Sequence, residues 1–385
     1  MRLPLSILLL AAPACCVAAL PDFVPREIDP RAGAICYAVT TADVDGDGDR
    51  DVVVVTEEAV LCYARTDGGW EKRSLVTGGT PRDNVCIAAG DADRDGRFDF
   101  AIGAGWTTAG SLHWVARDAG VDGPWRVHDL GPLPSTHRMR FADVLGSGRP
   151  QLIVSPLNAV PGTKGVPLTA YTVPDRPASD RWAATLLDAE LNRMHNQWHG
   201  DLDEDGIVDT LTASREGIHR LVHRGGTTTR TRLHAGIAGE TPDASGAGEV
   251  EVGRDAEGQP FVVSVEPMHG TAVVVAAPGD DGGWRRQVVD TGYVRGHAIA
   301  CADLDGDGDD EIVFGSSDPS PQADHGPTVA VYEAVAGGWH RTVIDAGGVA
   351  VEDLEVADLT GDGRPDIVAV GRATHNVKLY VNGGR

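Results

Sequence analysis

The sequence predicts an all-β fold, a seven-bladed β-propeller with four antiparallel strands per blade. Three observations predict it. First, a nine-residue acidic loop, D-x-D-x-D-G-x-x-[D/E], runs straight into an apolar stretch at residues 43, 91, 201, 303 and 358. Two decayed copies, DVLGSGRPQ from Asp143 and GRDAEGQPF from Gly253, fill the gaps, so that steps between starts run from 48 to 58 residues. A period of that size marks one supersecondary unit repeated, as in solenoids and propellers. Second, every unit has the same order: a strand of small and apolar residues, the loop, a β-branched strand, a third strand, and a fourth beginning near a tryptophan (Trp70, Trp125, Trp182, Trp284, Trp339). Four antiparallel strands form one blade. Third, the last unit has only three strands before Arg385, while FVPREID, from Phe23 to Asp29, lines up with the fourth-strand segment WHRTVID, from Trp339 to Asp345. The N-terminal strand is expected to complete the last blade and leave no open sheet edge. Residues 21–385 thus read as a single propeller domain.

The loops are the first element to justify. Alternate aspartates on a tight turn aim their oxygens at one point, and a hard cation such as calcium takes six to eight oxygen ligands. The glycine at position six permits the left-handed backbone of the turn. The expected ligands are Asp43, Asp45, Asp47 and Asp51; Asp91, Asp93, Asp95 and Asp99; Asp201, Asp203, Asp205 and Asp209; Asp303, Asp305, Asp307 and Glu311; and Asp358, Thr360, Asp362 and Asp366. An EF-hand would need a bidentate glutamate at position twelve between two helices. Position twelve here is Val54, Ile102, Thr212, Phe314 or Ala369, and the loops lead into VVVV, FAIG, TLTA, IVFG and IVAV. Short apolar runs of that kind are buried strands. About five structural calcium sites are expected, and none at the two decayed loops.

Residues 1–20 read as a secretory signal: Arg2, then LPLSILLLAA, then small residues up to a cleavage site near Ala18 to Leu20. The expected location is secreted or periplasmic. Cys15 and Cys16 raise lipoprotein anchoring as an alternative, although the residues before them fit a lipobox poorly. No stretch reaches the length of a membrane span. Of the remaining cysteines, Cys36 and Cys62 fall in one predicted blade and are a candidate disulfide pair. The net charge of −24 repels phosphate backbones, so nucleic acid is excluded as a partner. No phosphate-cradling loop, GxSxG elbow or HExxH motif occurs.

Register places a second face. The loops join first and second strands, so they line one side of the disc. The start of each first strand lies on the opposite side, beside the axis. Six residues before each loop stand Tyr37, Val85, His137, His195, Ala247, His297 and Glu352. Loops between second and third strands add His269, His325 and His375 on that side. One histidine at a strand end is more often a packing residue than a ligand. Three histidines and a glutamate at one repeat position are harder to assign to packing. Neutral imidazoles with a carboxylate suit a transition-metal site, zinc being a candidate, or proton transfer between a base and an acid. Both chemistries fit β-elimination from an oxidised sugar or uronate. The expected catalytic set is His137, His195, His269, His297 and Glu352. The expected substrate contacts are Arg138, Trp198, Tyr293, Arg295, His325 and His375. The competing reading is a non-catalytic propeller that binds glycan or a protein partner at the same mouth.

The loops, with HAIACADLDGDGDDEIVFG from His297, resemble the FG-GAP or VCBS repeats of integrin-like propellers. That resemblance implies calcium between the first two strands of a blade and a ligand face opposite. VEPMHG from Val265, RGHAIACADLDGDGDDEIV and GGVAVEDLEVADLTGDGRPDIVAVGRATHNVKLYVN are similar to the propeller part of aldos-2-ulose dehydratase-like proteins. That similarity implies elimination of water from oxidised sugars such as 1,5-anhydrofructose with a divalent metal. The dehydratase carries a cupin isomerase part after its propeller; the present sequence reaches Arg385 without one, so only the dehydration half is expected.

Overall fold

The computed structural model describes residues 20–106, 109–118, 123–280 and 282–384. The expected signal segment lies outside the described residues except for Leu20. Seven four-stranded antiparallel sheets form the ring. Blades 1 to 6 occupy residues 36–77, 84–132, 136–188, 196–234, 249–291 and 296–346. Blade 7 combines Val351–Ala357, Asp366–Gly371 and Val377–Asn382 with the N-terminal strand Phe23–Asp29. Phe23 pairs with Asn382 and Glu27 with Lys378, so the ring closes as the sequence predicts. Among the described residues no helix is long and apolar enough to cross a membrane.

Each second strand is packed on both faces, which explains its continuous apolar run. Asp51–Thr56, Asp99–Ala104 and Glu311–Ser316 are buried at every position. Fourth strands such as Gly69–Thr77 face solvent and read as polar. The hydrophobic core is divided among the spaces between blades. Between blades 1 and 2, Tyr37, Val53, Val55 and Cys62 pack on Ile87, Phe100 and Ile102. Between blades 7 and 1, Cys36, Val52, Val54 and Tyr63 pack on Val368, Val370 and Leu379. Cys36 and Cys62 therefore sit on opposite faces of blade 1, and both are free thiols. The expected pairing fails because alternate faces of one sheet cannot be bridged.

The closing strand is anchored to blade 1 through Asp29. Its Oδ2 accepts from the Tyr63 hydroxyl at 2.7 Å and from Lys72 Nζ at 2.6 Å, and its Oδ1 accepts from Arg31 N at 2.8 Å. Burial alone raises the Asp29 pKa, but the bonds from Lys72, Tyr63 and the Arg31 amide outweigh it and leave the carboxyl below its ordinary value. A depressed folded pKa gives stability that is present above the unfolded value of about 3.9 and is lost as pH falls through the folded value. Asp29→Asn should lower stability by about 1–3 kcal/mol at neutral pH. In paired melting curves the gap from wild type should shrink as pH drops below about 4. A gap independent of pH would contradict the ionic part of this anchor.

Candidate functional site

The acidic loops build one face. In the first loop Asp43 Oδ2 accepts from Gly48 N at 3.0 Å, and Asp51 Oδ2 accepts from Val44 N at 2.9 Å. The same two bonds recur from Gly308 to Asp303 at 3.2 Å and from Leu304 to Glu311 at 2.8 Å. Gly48 and Gly308 have φ of 93° and 98°, a conformation that glycine adopts at little cost. Carboxylates at positions one, three and nine come together: one oxygen each from Asp43, Asp45 and Asp51 lies within 4.8 Å of the others, as in Asp91/Asp93/Asp99, Asp201/Asp203/Asp209 and Asp303/Asp305/Glu311. The buried Asp45 Oδ1 has no hydrogen-bond partner. An all-oxygen donor set with such an orphan fits a hard cation. At position five, Asp95, Asp205 and Asp362 turn instead to Arg97, Arg224 and Arg364. The decayed loop of blade 3 explains itself: Gln151 replaces the ninth carboxylate, and its Nε2 donates to Asp143 Oδ1 at 3.0 Å.

The opposite face is built by a repeated irregularity. In blades 1, 2, 3, 6 and 7 the ladder skips the second residue of the first strand, namely Tyr37, Val85, His137, His297 or Glu352. A bulge of this kind re-aims one side chain out of the sheet pattern. In blade 4, His195 N donates to Ala213 O at 2.9 Å although Asn196 is the residue paired with Ala213. In blade 5 the matching residue is Gly248, whose N donates to Val265 O at 2.9 Å. The sequence register placed Ala247 there. It was off by one because the loop between the paired residues Gly253 and Phe261 is one residue shorter than that between Gly200 and Asp209.

These bulges bring the histidines together. His137 Nδ1 donates to His195 O at 3.0 Å, His195 Nδ1 to Gly248 O at 2.9 Å, and His297 Nδ1 to Glu352 O at 2.7 Å. Each imidazole is thus fixed by a carbonyl of the next blade, which leaves its Nε2 as the acceptor nitrogen. His269 arrives from its loop with φ of 51°, and its Nε2 lies 2.9 Å from His195 Nε2. Nitrogens of His195, His269 and His297 all lie within 4.8 Å of one another. Ring centroids of His137 and His195 are 4.4 Å apart. Burial, with Arg138 beside them, holds His137 and His297 well below the usual imidazole pKa; burial and the neighbouring imidazoles do the same for His195. Burial and His297 lower His269 to about 3. Neutral imidazoles that converge on a point form a donor set suited to a zinc-class ion.

A pocket of about 170 Å³ opens over this group, lined by His137, His269, His297 and Glu352 with Tyr37 and Trp106. Glu352 Oε1 accepts from Arg372 NH1 at 2.5 Å, and its Oε2 is 3.5 Å from Arg295 NH2. Arg138 and Arg193 also line the pocket. Below the mouth the axial channel, about 410 Å³, is lined by Arg138, Arg140, Glu249, Glu251, Asp353 and Glu355.

Four expected substrate contacts lie elsewhere. The Trp198 ring covers Gly200, further along its strand toward the acidic loops. Tyr293 is 1% exposed, packs on Phe314, and bonds Asp290 at 2.9 Å, so no sugar can stack on it. His325 belongs to that same packed group, its ring 4.7 Å from Tyr293. His375 serves the ring closure: its carbonyl accepts from Ala32 N at 2.8 Å. Sequence reasoning missed Arg372 and Glu249. Glu249 Oε1 lies 2.8 Å from His195 Nδ1 and 3.6 Å from Arg138 NH2, and burial pushes its carboxyl up to about 8 against the pull of Arg138. The His195 Nδ1–H is already given to Gly248 O, so Glu249 Oε1 stays buried beside the imidazole without a hydrogen-bond partner. The one-residue contraction in blade 5 hid it; with that gap, Glu249 aligns with Asn196 and Arg138.

Residues 43–102 match the FG-GAP-like repeat model, and residues 109–279 match the model of the aldos-2-ulose dehydratase β-propeller domain. The chain resembles the aldos-2-ulose dehydratase propeller. The matched segment of the dehydratase model takes in His137, Arg193, His195, Glu249 and His269; His297 and Glu352 lie beyond it. Aldos-2-ulose dehydratase of Phanerodontia chrysosporium is 26% identical over 242 residues, covering 56% of this chain and 26% of that protein. The chain thus spans about a quarter of that relative's length. Among solved structures, an Agrocybe aegerita lectin that recognises non-reducing terminal N-acetylglucosamine has a TM-score of 0.55 at 15% identity, over 86% of this chain and 92% of the lectin. The extracellular domain of a putative one-component system of B. thetaiotaomicron has a TM-score of 0.53 at 11% identity, over 93% of this chain and 40% of that one. At those identities the likeness shows the fold.

Proposed function

We propose that this chain is an exported sugar lyase of the dehydratase type, working at the histidine-lined mouth of a propeller held together by calcium. The observation that supports this reading best is that His137, His269, His297 and Glu352 line one pocket, with His195 buried against them. The likeness of residues 109–279 to a dehydratase propeller agrees with it. His195, His269 and His297 would hold a zinc-class ion, which when bound would polarise a substrate oxygen. His137 stands beside this trio with Nδ1 bonded to a carbonyl, and its Nε2 would accept the proton taken from carbon. Arg372 and Arg295 hold Glu352 at the rim, where it can orient sugar hydroxyls. Trp106, whose ring centroid is 5.7 Å from His137, supplies an apolar wall for a sugar ring. The five acidic loops would carry calcium on the far face. Residues 1–20 would direct export, where that ion is abundant.

A panel of uronates and keto-sugars tests the reading. Wild-type protein with calcium and zinc should turn at least one of them into an unsaturated product that absorbs in the ultraviolet. Binding without any such product, across the panel, would replace the lyase by a glycan-binding propeller.

A further inference from the structure

Two arginines of the mouth occupy an unusual backbone position. Arg193 stands two residues before His195, and Arg295 two residues before His297, so R-x-H repeats in blades 4 and 6. Both arginines have left-handed backbones, with φ of 48° and 56°. The same place holds Gly246 in blade 5, at φ 86°, with small polar residues in two other blades: Asp83 at 74° and Ser135 at 62°. Glycine, aspartate and serine suit that turn better than a long side chain does. Strain kept at a pocket wall points to what the side chain does there.

The guanidinium groups are also poorly satisfied. Arg193 Nε and Arg295 Nε are buried without a hydrogen-bond partner. The remaining contacts are long: Arg193 NH1 is 3.5 Å from Asn158 Oδ1, and Arg295 NH2 is 3.5 Å from Glu352 Oε2. A buried donor left unpaired is costly, so a partner from outside is expected. With Arg138 and Arg372, the pocket carries four arginines and one carboxylate, Glu352, inside a chain of net charge −24. The pocket is small against the roughly 300–1,000 Å³ of drug-sized sites, so the partner is compact.

From this geometry we infer that Arg193 and Arg295 clamp the carboxylate of a uronate, making acidic rather than neutral sugars the substrate class. The inference rests on the lyase reading and narrows it. In a uronate the carbon that loses its proton bears the carboxylate. Guanidinium bonds on both carboxylate oxygens stabilise the charge that develops when the C–H pair moves toward them. That pair becomes the new C=C bond. The neighbouring C–O bond breaks, the oxygen leaves with its electrons, and it takes a proton from water at the open mouth. The proton from carbon goes to His137, so atoms and electrons balance without oxidant or reductant.

Calorimetry on the whole protein separates this inference from the lyase reading. The probes are glucuronate and galacturonate, the neutral sugars glucose and galactose, and inorganic sulfate. Uronates are expected to bind at least tenfold more tightly than neutral sugars or sulfate. Arg193→Gln and Arg295→Gln should each lose at least tenfold of uronate binding and a much smaller share of neutral-sugar binding. Arg295→Lys should recover part of the loss. Arg176→Gln, at an exposed Arg176–Asp180 pair, is the control expected to bind normally. Equal binding of uronates and neutral sugars would overturn the clamp, and so would sulfate binding as tightly as uronate, which marks a general anion site. If unsaturated product then still forms from neutral keto-sugars, the lyase reading stands and the carboxylate clamp falls. Uronate binding that depends on both arginines, with no product from any sugar, keeps the clamp and removes the lyase.

Discussion

Stripping divalent cations should lower the melting temperature by on the order of 10 °C or more, a larger change than any single surface substitution would cause. The reason lies in the ninth loop position. Asp51, Asp99, Asp209, Glu311 and Asp366 are buried at the start of second strands. Burial, opposed by backbone N–H bonds and reinforced by the neighbouring aspartates, pushes Asp51 up to about 6 and Glu311 up to about 8. Carboxylates so placed repel one another unless a cation lies between them. An ion that binds only the folded loop adds about 2.7 kcal/mol at a hundredfold excess over its dissociation constant. Five such loops act on one ring, because each joins the first strand to the second, on which blade packing depends. Melting curves with excess calcium and with EDTA give the measurement. Asp303→Ala should remove part of the calcium dependence. Asp143→Ala should remove none, because Gln151 already supplies what that loop needs. Identical curves with and without EDTA would contradict cation-filled loops.

Blade number and ring closure were legible because each rests on local pattern. The loop signature fixes the first turn of a blade, β-branched runs mark strands buried on two faces, and FVPREID could be matched to WHRTVID by order alone. The mouth was legible only in part. His137, His195 and His297 share a repeat position, and the same bulge or its equivalent lifts each of them toward the axis. His269 was legible from its loop. The misplaced residues share a cause. Trp198 and Tyr293 were assigned by nearness in sequence to the mouth, and His325 and His375 by the same loop position as His269. Their direction is decided by strand alternation or by tertiary partners: Asp290 and Arg341 hold Tyr293 down, and Trp198 covers Gly200. Glu249 was hidden by one deleted loop residue, since a shift of one moves a side chain to the other face of the sheet. Arg372 carries no repeat signal, and only the fold brings it to Glu352.

His297→Ala should slow elimination at least about 100-fold while leaving calcium-dependent stability intact, as expected when a ligand or proton-transfer group is removed. His297 meets both needs of the site. Its Nε2 belongs to the converging trio, and its Nδ1 is fixed by Glu352 O at 2.7 Å, which ties blade 6 to blade 7. Removing a buried ring leaves a cavity, so His269→Ala, on a loop and less buried, serves as the companion variant. The acidic loops lie about six residues, or roughly 20 Å, along the strand from this mouth, so their occupancy should not change. The decisive measurement is the rate of unsaturated product from a uronate, for wild type, His297→Ala and His269→Ala, all saturated with calcium and all equally folded. Rapid product from wild type with both variants at least about 100-fold slower is the predicted result. Variants as fast as wild type would contradict catalysis at the imidazole mouth.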